Sequence, residues 1–286
     1  MIKSYKLRTK LTNIFLHIFL AILSIIWLLP IAWLIMFSFN ADKGMYHQEY
    51  IIPVNWTLDN YKNLFTNTEL FKFPTWFANT FIIACVCCVI STFFVLATSY
   101  TFSRLKFKSR KKFMNVSLVL GMFPGFMSMI AIYHMMKELL HLEQSKLSLI
   151  LIYSGGSALG YFISKGFFDT IPMALDEAAT LDGASKNQIF WKIILPVSKP
   201  IIVYTALTSF IAPWLDFIFV SVIMKDNYDN YTVALGLFQM ITRENVYQYF
   251  TQFCAGAVIV AIPISILFLI MQKFYVSGVV GGSVKG

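Results

Sequence analysis

Six apolar runs, separated by charged or proline-bearing segments, constrain this chain more than any other feature. They occupy residues 13–39, 76–102, 113–136, 147–167, 201–224 and 249–275, and each is long enough to cross a bilayer. In hydrocarbon every backbone N–H and C=O needs an internal partner, so runs of this length predict spanning helices. Pro30, Pro124 and Pro263 fall inside them, which neighbouring helices can accommodate by covering the freed backbone groups. The first run is too long for a signal-peptide core and lacks a small-residue cleavage site, so it is expected to stay as a spanning helix. With 58% hydrophobic and 13% charged residues, and mean hydropathy +0.68, an ordinary soluble domain is excluded. The reading is an all-α integral membrane protein: a short N-terminus (1–12), a six-helix domain (13–275) and a C-terminal tail (276–286).

The formal charge of +9 does not point to nucleic acid, because the charges sit between apolar runs. With both termini inside the cell, the cytoplasmic segments hold sixteen of the 23 Lys and Arg, as the positive-inside rule requires. The densest cluster, Arg104, Lys106, Lys108, Arg110, Lys111 and Lys112, closes the second run and reads as a cytoplasmic anchor in contact with anionic lipid. Gly121 with Gly125, and the stretch Gly155-Gly156-Ser157-Ala158-Leu159-Gly160, predict close helix packing. Cys85, Cys87, Cys88 and Cys254 lie inside apolar runs and the histidines are scattered, so neither a disulfide nor a metal site is expected. No catalytic constellation is legible. Within the 35-residue stretch after the first run, Thr57 to Phe65 has helical spacing and a cap.

Residues 170–200, TIPMALDEAATLDGASKNQIFWKIILPVSKP, form a polar island between two apolar runs. The pattern predicts two short helices around a tight turn. Thr170 is placed to cap the first, with Pro172 in its opening turn. Asp176 and Glu177 suit its N-terminal half, and Gly183 is the left-handed stop. The second helix, residues 184–195, puts Ile189, Phe190, Ile193 and Ile194 on one stripe and Lys186, Asn187 and Lys192 off it. Leu195-Pro196 is expected to end it.

Glu177-Ala178-Ala179, followed after three residues by Gly183, after nine more by Ile193, and then by Leu195-Pro196, resembles the EAA loop of binding-protein-dependent ABC importers. The resemblance implies the type I importer fold, with residues 168–200 as a cytoplasmic coupling hairpin. In that family the hairpin docks into a groove of an ATPase. Glu177, Ala178, Ala179, Asp182, Gly183, Ile193, Leu195 and Pro196 would carry that contact. The residue types suit it: alanines allow close backbone approach, glycine sharpens the turn, and Glu177 offers a charge. An amphipathic hairpin lying on the membrane surface is the competing reading, but lipid contact does not require the fixed spacing.

Asn79, Tyr100 with Arg104, and Phe107 resemble the family's second-helix pattern. Gln272-Lys273, Gly278 and the Val-Lys-Gly terminus resemble the tail of the sugar-importing branch, in the shorter of its two permease types. With Trp56 to Tyr61 they narrow the resemblance to carbohydrate uptake. Phe168 to Leu207, with Pro213-Trp214-Leu215-Asp216-Phe217, looks closest to malto-oligosaccharide permeases, although Leu215 departs from the Trp-Asn-Asp/Glu-Phe pattern. The resemblance implies a heterodimer with a second permease, two copies of an ATPase that bind the ATP and Mg, and an extracytoplasmic sugar-binding protein. It places the chain in the cell membrane, with no cofactor of its own and no nucleic-acid partner. Arg243, Glu244 and Asn245, before the sixth run, sit where this permease type contacts the binding protein. Asp216 is the only acidic residue inside a run, at a cost of roughly 2.5–3.5 kcal/mol at mid-membrane. Either it is a structural carboxylate bonded to free backbone amides, or with Trp214 it lines a sugar path. Rival classes are a permease for another sugar and an ion-coupled secondary transporter, which usually carries internal repeats and more buried ionisable groups.

Overall fold

The computed structural model describes residues 2–44, 51–123, 125–157 and 160–283, with side chains except at 2–6, 126, 244, 273 and 275–283. Pro124, Ala158, Leu159, the Glu244 side chain and the last three residues of the predicted tail lie outside the described set. The elements are α1 (Ile2–Ser38), α2 (Asp59–Thr66), α3 (Phe73–Arg104), α4 (Arg110–Met122), α5 (Gly125–His134), α6 (Lys146–Ser157) and α7 (Tyr161–Thr170). They continue as α8 (Ala174–Leu181), α9 (Lys186–Ile189), α10 (Leu195–Val197), α11 (Lys199–Leu215), α12 (Ile218–Met224), α13 (Val233–Met240) and α14 (Val246–Ser283). Extended pairing among the described residues is limited to one bridge, Asn40 with Trp56, so the all-helical expectation holds.

Three helical stretches, Leu7–Ser38, Phe73–Arg104 and Val246–Gln272, are each long and apolar enough to cross a membrane. Counting each bent pair as one span gives up to six among the described residues, the third pair being Lys186–Val197 with Lys199–Leu215. The α4–α5 pair bends by 105° and the α6–α7 pair by 41°. A break at Asp216 and Phe217 divides the fifth run into α11 and α12. The expected C-terminal tail instead continues α14 as helix as far as Ser283.

The chain divides into two compact units. In one (Met1–Phe71 with Gln239–Ile259), Thr57 Oγ1 accepts the Asp59 N–H at 3.1 Å at the predicted start of α2. Asn60, buried, donates to the Ser38 and Asn40 carbonyls at 3.0 and 2.7 Å and accepts from Thr251 Oγ1 at 3.0 Å. One amide thus satisfies the frayed end of α1 and ties it to α14. Asn60→Ala removes all three of these bonds from a buried site, and about 2 kcal/mol of stability is expected to go with them. A lowered thermal midpoint of the detergent-solubilised protein is the check.

In the other unit (Lys72–Phe238 with Val260–Gly286), α3 is the central rod and packs against α6, α7 and α11. Phe73, Trp76, Ile83, Ala84, Cys87, Val95, Leu96 and Tyr100 are its buried apolar side chains. Its N-terminal end is pinned by polar groups. The Trp76 Nε1–H donates to the Tyr228 carbonyl at 2.7 Å, and Asn79 donates to Asp229 O and Tyr231 O at 2.7 and 3.0 Å. Burial pushes the Tyr231 phenol up to about 12, with Tyr228 and Asp226 adding to the effect.

Candidate functional site

Two boundaries of the hairpin differ from the sequence expectation. Thr170 closes α7 rather than capping α8, and its hydroxyl donates back to Phe167 O at 2.7 Å. The first arm starts only at Ala174, after a turn whose Leu175 N–H bonds to Pro172 O. The second arm does not end at Leu195-Pro196 but continues to Val197, because residues 190–194 form a π-type turn. Widening the helix there relieves the clash between a proline ring and the carbonyl four residues earlier. Ser198, buried, then donates to Ile194 O at 2.6 Å, and the chain turns 86° into α11.

The turn itself forms as its residues predict. Gly183 has φ +80°, its N–H bonds to Thr180 O at 3.1 Å, and the Ala184 N–H bonds to Ala179 O at 2.9 Å. This pair of bonds is a Schellman stop. Ser185 then opens the second arm with a capping box: its Oγ accepts the Gln188 N–H at 3.3 Å, and Gln188 Oε1 accepts the Ser185 N–H at 2.7 Å. A Schellman stop and a capping box thus flank Ala184 at the tip.

One face of the hairpin is locked to the spanning helices. Ala179, Ile189, Phe190 and Ile194 join Leu96, Tyr100, Phe168 and Ile201 in a buried cluster, with Ile193 and Leu195 packed against it. The opposite face carries Glu177, Ala178, Asp182, Gly183 and Pro196, all exposed. Leu181 projects from the same face at 89% exposure. It was not singled out from the sequence, because a leucine beside a predicted stop reads as an ordinary helix former. Beside this face lies a cavity of about 820 Å³ whose lining includes Tyr100, Arg104, Glu177 and Leu181.

Arg104 is the second residue the sequence misplaced. Its position in a run of lysines and arginines reads as a cytoplasmic anchor facing anionic lipid, but its side chain is 2% exposed and pairs with Asp176 (8% exposed) at 3.1 Å. Nη2 donates to Phe168 O and Ile171 O, each at 2.7 Å, and Nη1 also lies against the Met173 sulfur. Removing one partner of such a buried pair strands the other charge, typically at about 3–5 kcal/mol.

The remaining candidates lie in other segments of the chain. Trp214 is buried, with Phe77 at 5.3 Å and Phe210 at 5.9 Å between ring centroids. Asp216 accepts the Phe219 N–H at 2.9 Å and the Tyr153 hydroxyl at 3.0 Å. That is the geometry of a carboxylate capping the broken fifth run, the first of the two roles open to it. Arg243, exposed and at φ +48°, lies in a short 3-10 turn with Asn245. Asn245 Nδ2 donates to Gln239 O at 2.8 Å. Both residues, with Gln239 and Thr242, line a polar cavity of about 530 Å³.

The family model described as "Binding-protein-dependent transport system inner membrane component" matches residues 94–280, a stretch that contains the whole hairpin. Among similar proteins is the galactooligosaccharides transport system permease GanQ of Bacillus subtilis, 36% identical over 100% of both chains. Another is the maltodextrin transport system permease MalD of Streptococcus pneumoniae, 34% identical over 99% of each. In three dimensions the chain resembles a subunit of a bacterial ABC transporter importing alginate. The TM-score is 0.76 at 22% identity, over 93% of this chain and 97% of that one, a likeness of fold. The chain belongs to the binding-protein-dependent transport system inner membrane component family, the non-catalytic permease subunits of ABC importers.

Proposed function

We propose that this chain is the shorter permease of a heterodimeric importer for malto-oligosaccharides. The sugar is delivered by an extracytoplasmic binding protein, and transport is driven by two ATPase subunits that hold the ATP and Mg. Both termini are cytoplasmic, and residues 168–200 form the coupling region. The observation that carries this reading is the hairpin's division of labour: one face locked into the span cluster, the other presenting Leu181, Ala178 and Glu177 outward from a doubly capped turn. A rigid knob with an apolar tip and a carboxylate suits insertion into a groove, where a buried apolar anchor dominates contact energy.

Similarity to a maltodextrin permease over nearly the full length supports the substrate. The 36% identity to a galacto-oligosaccharide permease favours a second reading, a β-galactoside oligomer. Inside-out vesicles loaded with binding protein separate them: ATP-dependent transport of labelled maltotriose supports the first, and of labelled galactotriose the second. Transport independent of ATP, driven by an ion gradient, would sink both.

Arg243, Glu244 and Asn245 are proposed to meet the binding protein. Arg243 is exposed beside a polar cavity, and the Asn245 bond to Gln239 O holds the turn. Replacing Arg243–Asn245 with Gly-Ser-Gly is expected to cut binding-protein stimulation of ATP hydrolysis by about tenfold while basal hydrolysis persists, the size of an ordinary coupling free energy. Undiminished stimulation would refute that contact.

A further inference from the structure

We propose that Arg104 is a positioning residue for the transport stroke, joining the hairpin to α3 so that the two move as one body. The proposal rests on the importer reading above, and deepens it by naming the helix that receives the motion.

Covalently, the hairpin continues only into α7 and α11. Both junctions are bends: extended backbone at Ile171, and the 86° corner at Ser198. A bend passes on a push poorly unless something braces it. The brace comes from α3, sixty or more residues away in the sequence. Ser99 Oγ donates to Tyr161 O at 3.0 Å, and the Tyr100 hydroxyl donates to Lys186 O at 3.2 Å. Ser103 Oγ donates to Asp169 Oδ1 at 2.6 Å, and that carboxylate also accepts from Lys165 at 2.6 Å.

Arg104 closes the set. It bonds to the carbonyls of Phe168 and Ile171 on either side of the first bend, and pairs with Asp176 in the first arm. The last turns of α3 therefore grip α7, the bend, the first arm and the start of the second. These contacts lie directly behind the exposed tip, since Tyr100 and Arg104 line the same cavity as Glu177 and Leu181. Interlocked elements of this kind shift as rigid bodies between discrete arrangements rather than deforming. A purely structural anchor would stabilise the fold and leave the yield of transport per ATP untouched.

The test uses the assembled complex in proteoliposomes with its binding protein. Arg104→Gln removes the charge and the fork. A bridge is supplied separately by Ser103→Cys with Asp169→Cys, closed by a short bis-methanethiosulfonate, after Cys85, Cys87, Cys88 and Cys254 are replaced by alanine. In Arg104→Gln the ATPase subunits are expected to co-purify and hydrolyse Mg-ATP. Uptake per ATP of whichever sugar the unmodified complex accumulates, labelled maltotriose or galactotriose, should fall by about tenfold. Closing the bridge in that variant should restore the ratio, and opening it with dithiothreitol should lose it again.

An unchanged ratio overturns the proposal. So does a loss that merely follows loss of the ATPase subunits, or a closed bridge that blocks uptake, since α3 and the hairpin would then have to separate during the cycle. An unmodified chain that captures no ATPase subunit is a different result: it overturns the importer reading, and this inference with it.

Discussion

Gly183→Leu is expected to abolish sugar uptake while the protein still reaches the membrane at normal levels. At φ +80° an L-residue with a branched side chain suffers clashes that glycine does not, costing roughly 1–2 kcal/mol at that residue. The space around the position is open, because a Cβ added there would meet nothing within 4 Å. Any loss is therefore conformational and not steric. The turn can escape the strain only by giving up the Gly183 and Ala184 bonds to Thr180 O and Ala179 O. That swings Leu181 and Glu177 away from their presented positions, and a misplacement of an ångström is enough to unseat a packed contact.

Gly183→Asn provides the control, since asparagine tolerates the left-handed region; it should keep most of the uptake. Glu177→Lys is expected to reach the same endpoint by another route, reversing an exposed charge on the proposed docking face without touching the fold. Uptake assays with co-purification of the ATPase subunits decide the matter. Full uptake in Gly183→Leu and Glu177→Lys would falsify the docking reading.

The second large effect is expected at Gly236→Ala, and it concerns folding. A Cβ there would sit 1.9 Å from Trp76 Cε3 and 2.4 Å from Cδ2, far inside any van der Waals separation. The indole cannot step aside. It is fully buried, its Nε1–H is committed to Tyr228 O, and Tyr231 lies 6.1 Å away between centroids. Overpacking of this sort costs about 1–3 kcal/mol, and loss of the indole hydrogen bond adds about 1 kcal/mol. Thermal unfolding in detergent should show the drop. Trp76→Leu in the same chain should shrink the cost of Gly236→Ala, because the ring that creates the clash is gone. An alanine tolerated without loss in the wild-type background would mean that α13 does not press on Trp76.

Much of the hairpin was legible because its rules are local. Gly183 as a stop, and the stripe of Ile189, Phe190 and Ile194, follow from preferences spanning fewer than ten residues. The start of the first arm was misread at Thr170, which had two local uses for its hydroxyl, capping forward or bonding back to Phe167 O. Only the packing of α7 on α3 chose between them. Pro196 was taken as an end because proline usually is one; the π-type turn before it made room for the ring.

Charge was the least readable property. Arg104 and Lys106 look alike in a basic cluster, yet Arg104 is buried against Asp176 while Lys106 is exposed. Leu181 shows the converse, an apolar residue turned outward because the stop two residues later leaves it no interior to face.

On its own, the order of amino acids determined that this chain lives in a membrane, that it is helical, and that a two-helix hairpin separates the fourth and fifth apolar runs. Those properties follow from run length, solvent and short-range backbone preference, which act wherever the chain goes. Tertiary structure alone decided which charge Arg104 meets, that the Tyr153 hydroxyl reaches Asp216, and how closely Gly236 approaches Trp76. Such pairings join residues from roughly sixty to 160 positions apart, and nothing in a local window distinguishes the partner chosen from the many that were not.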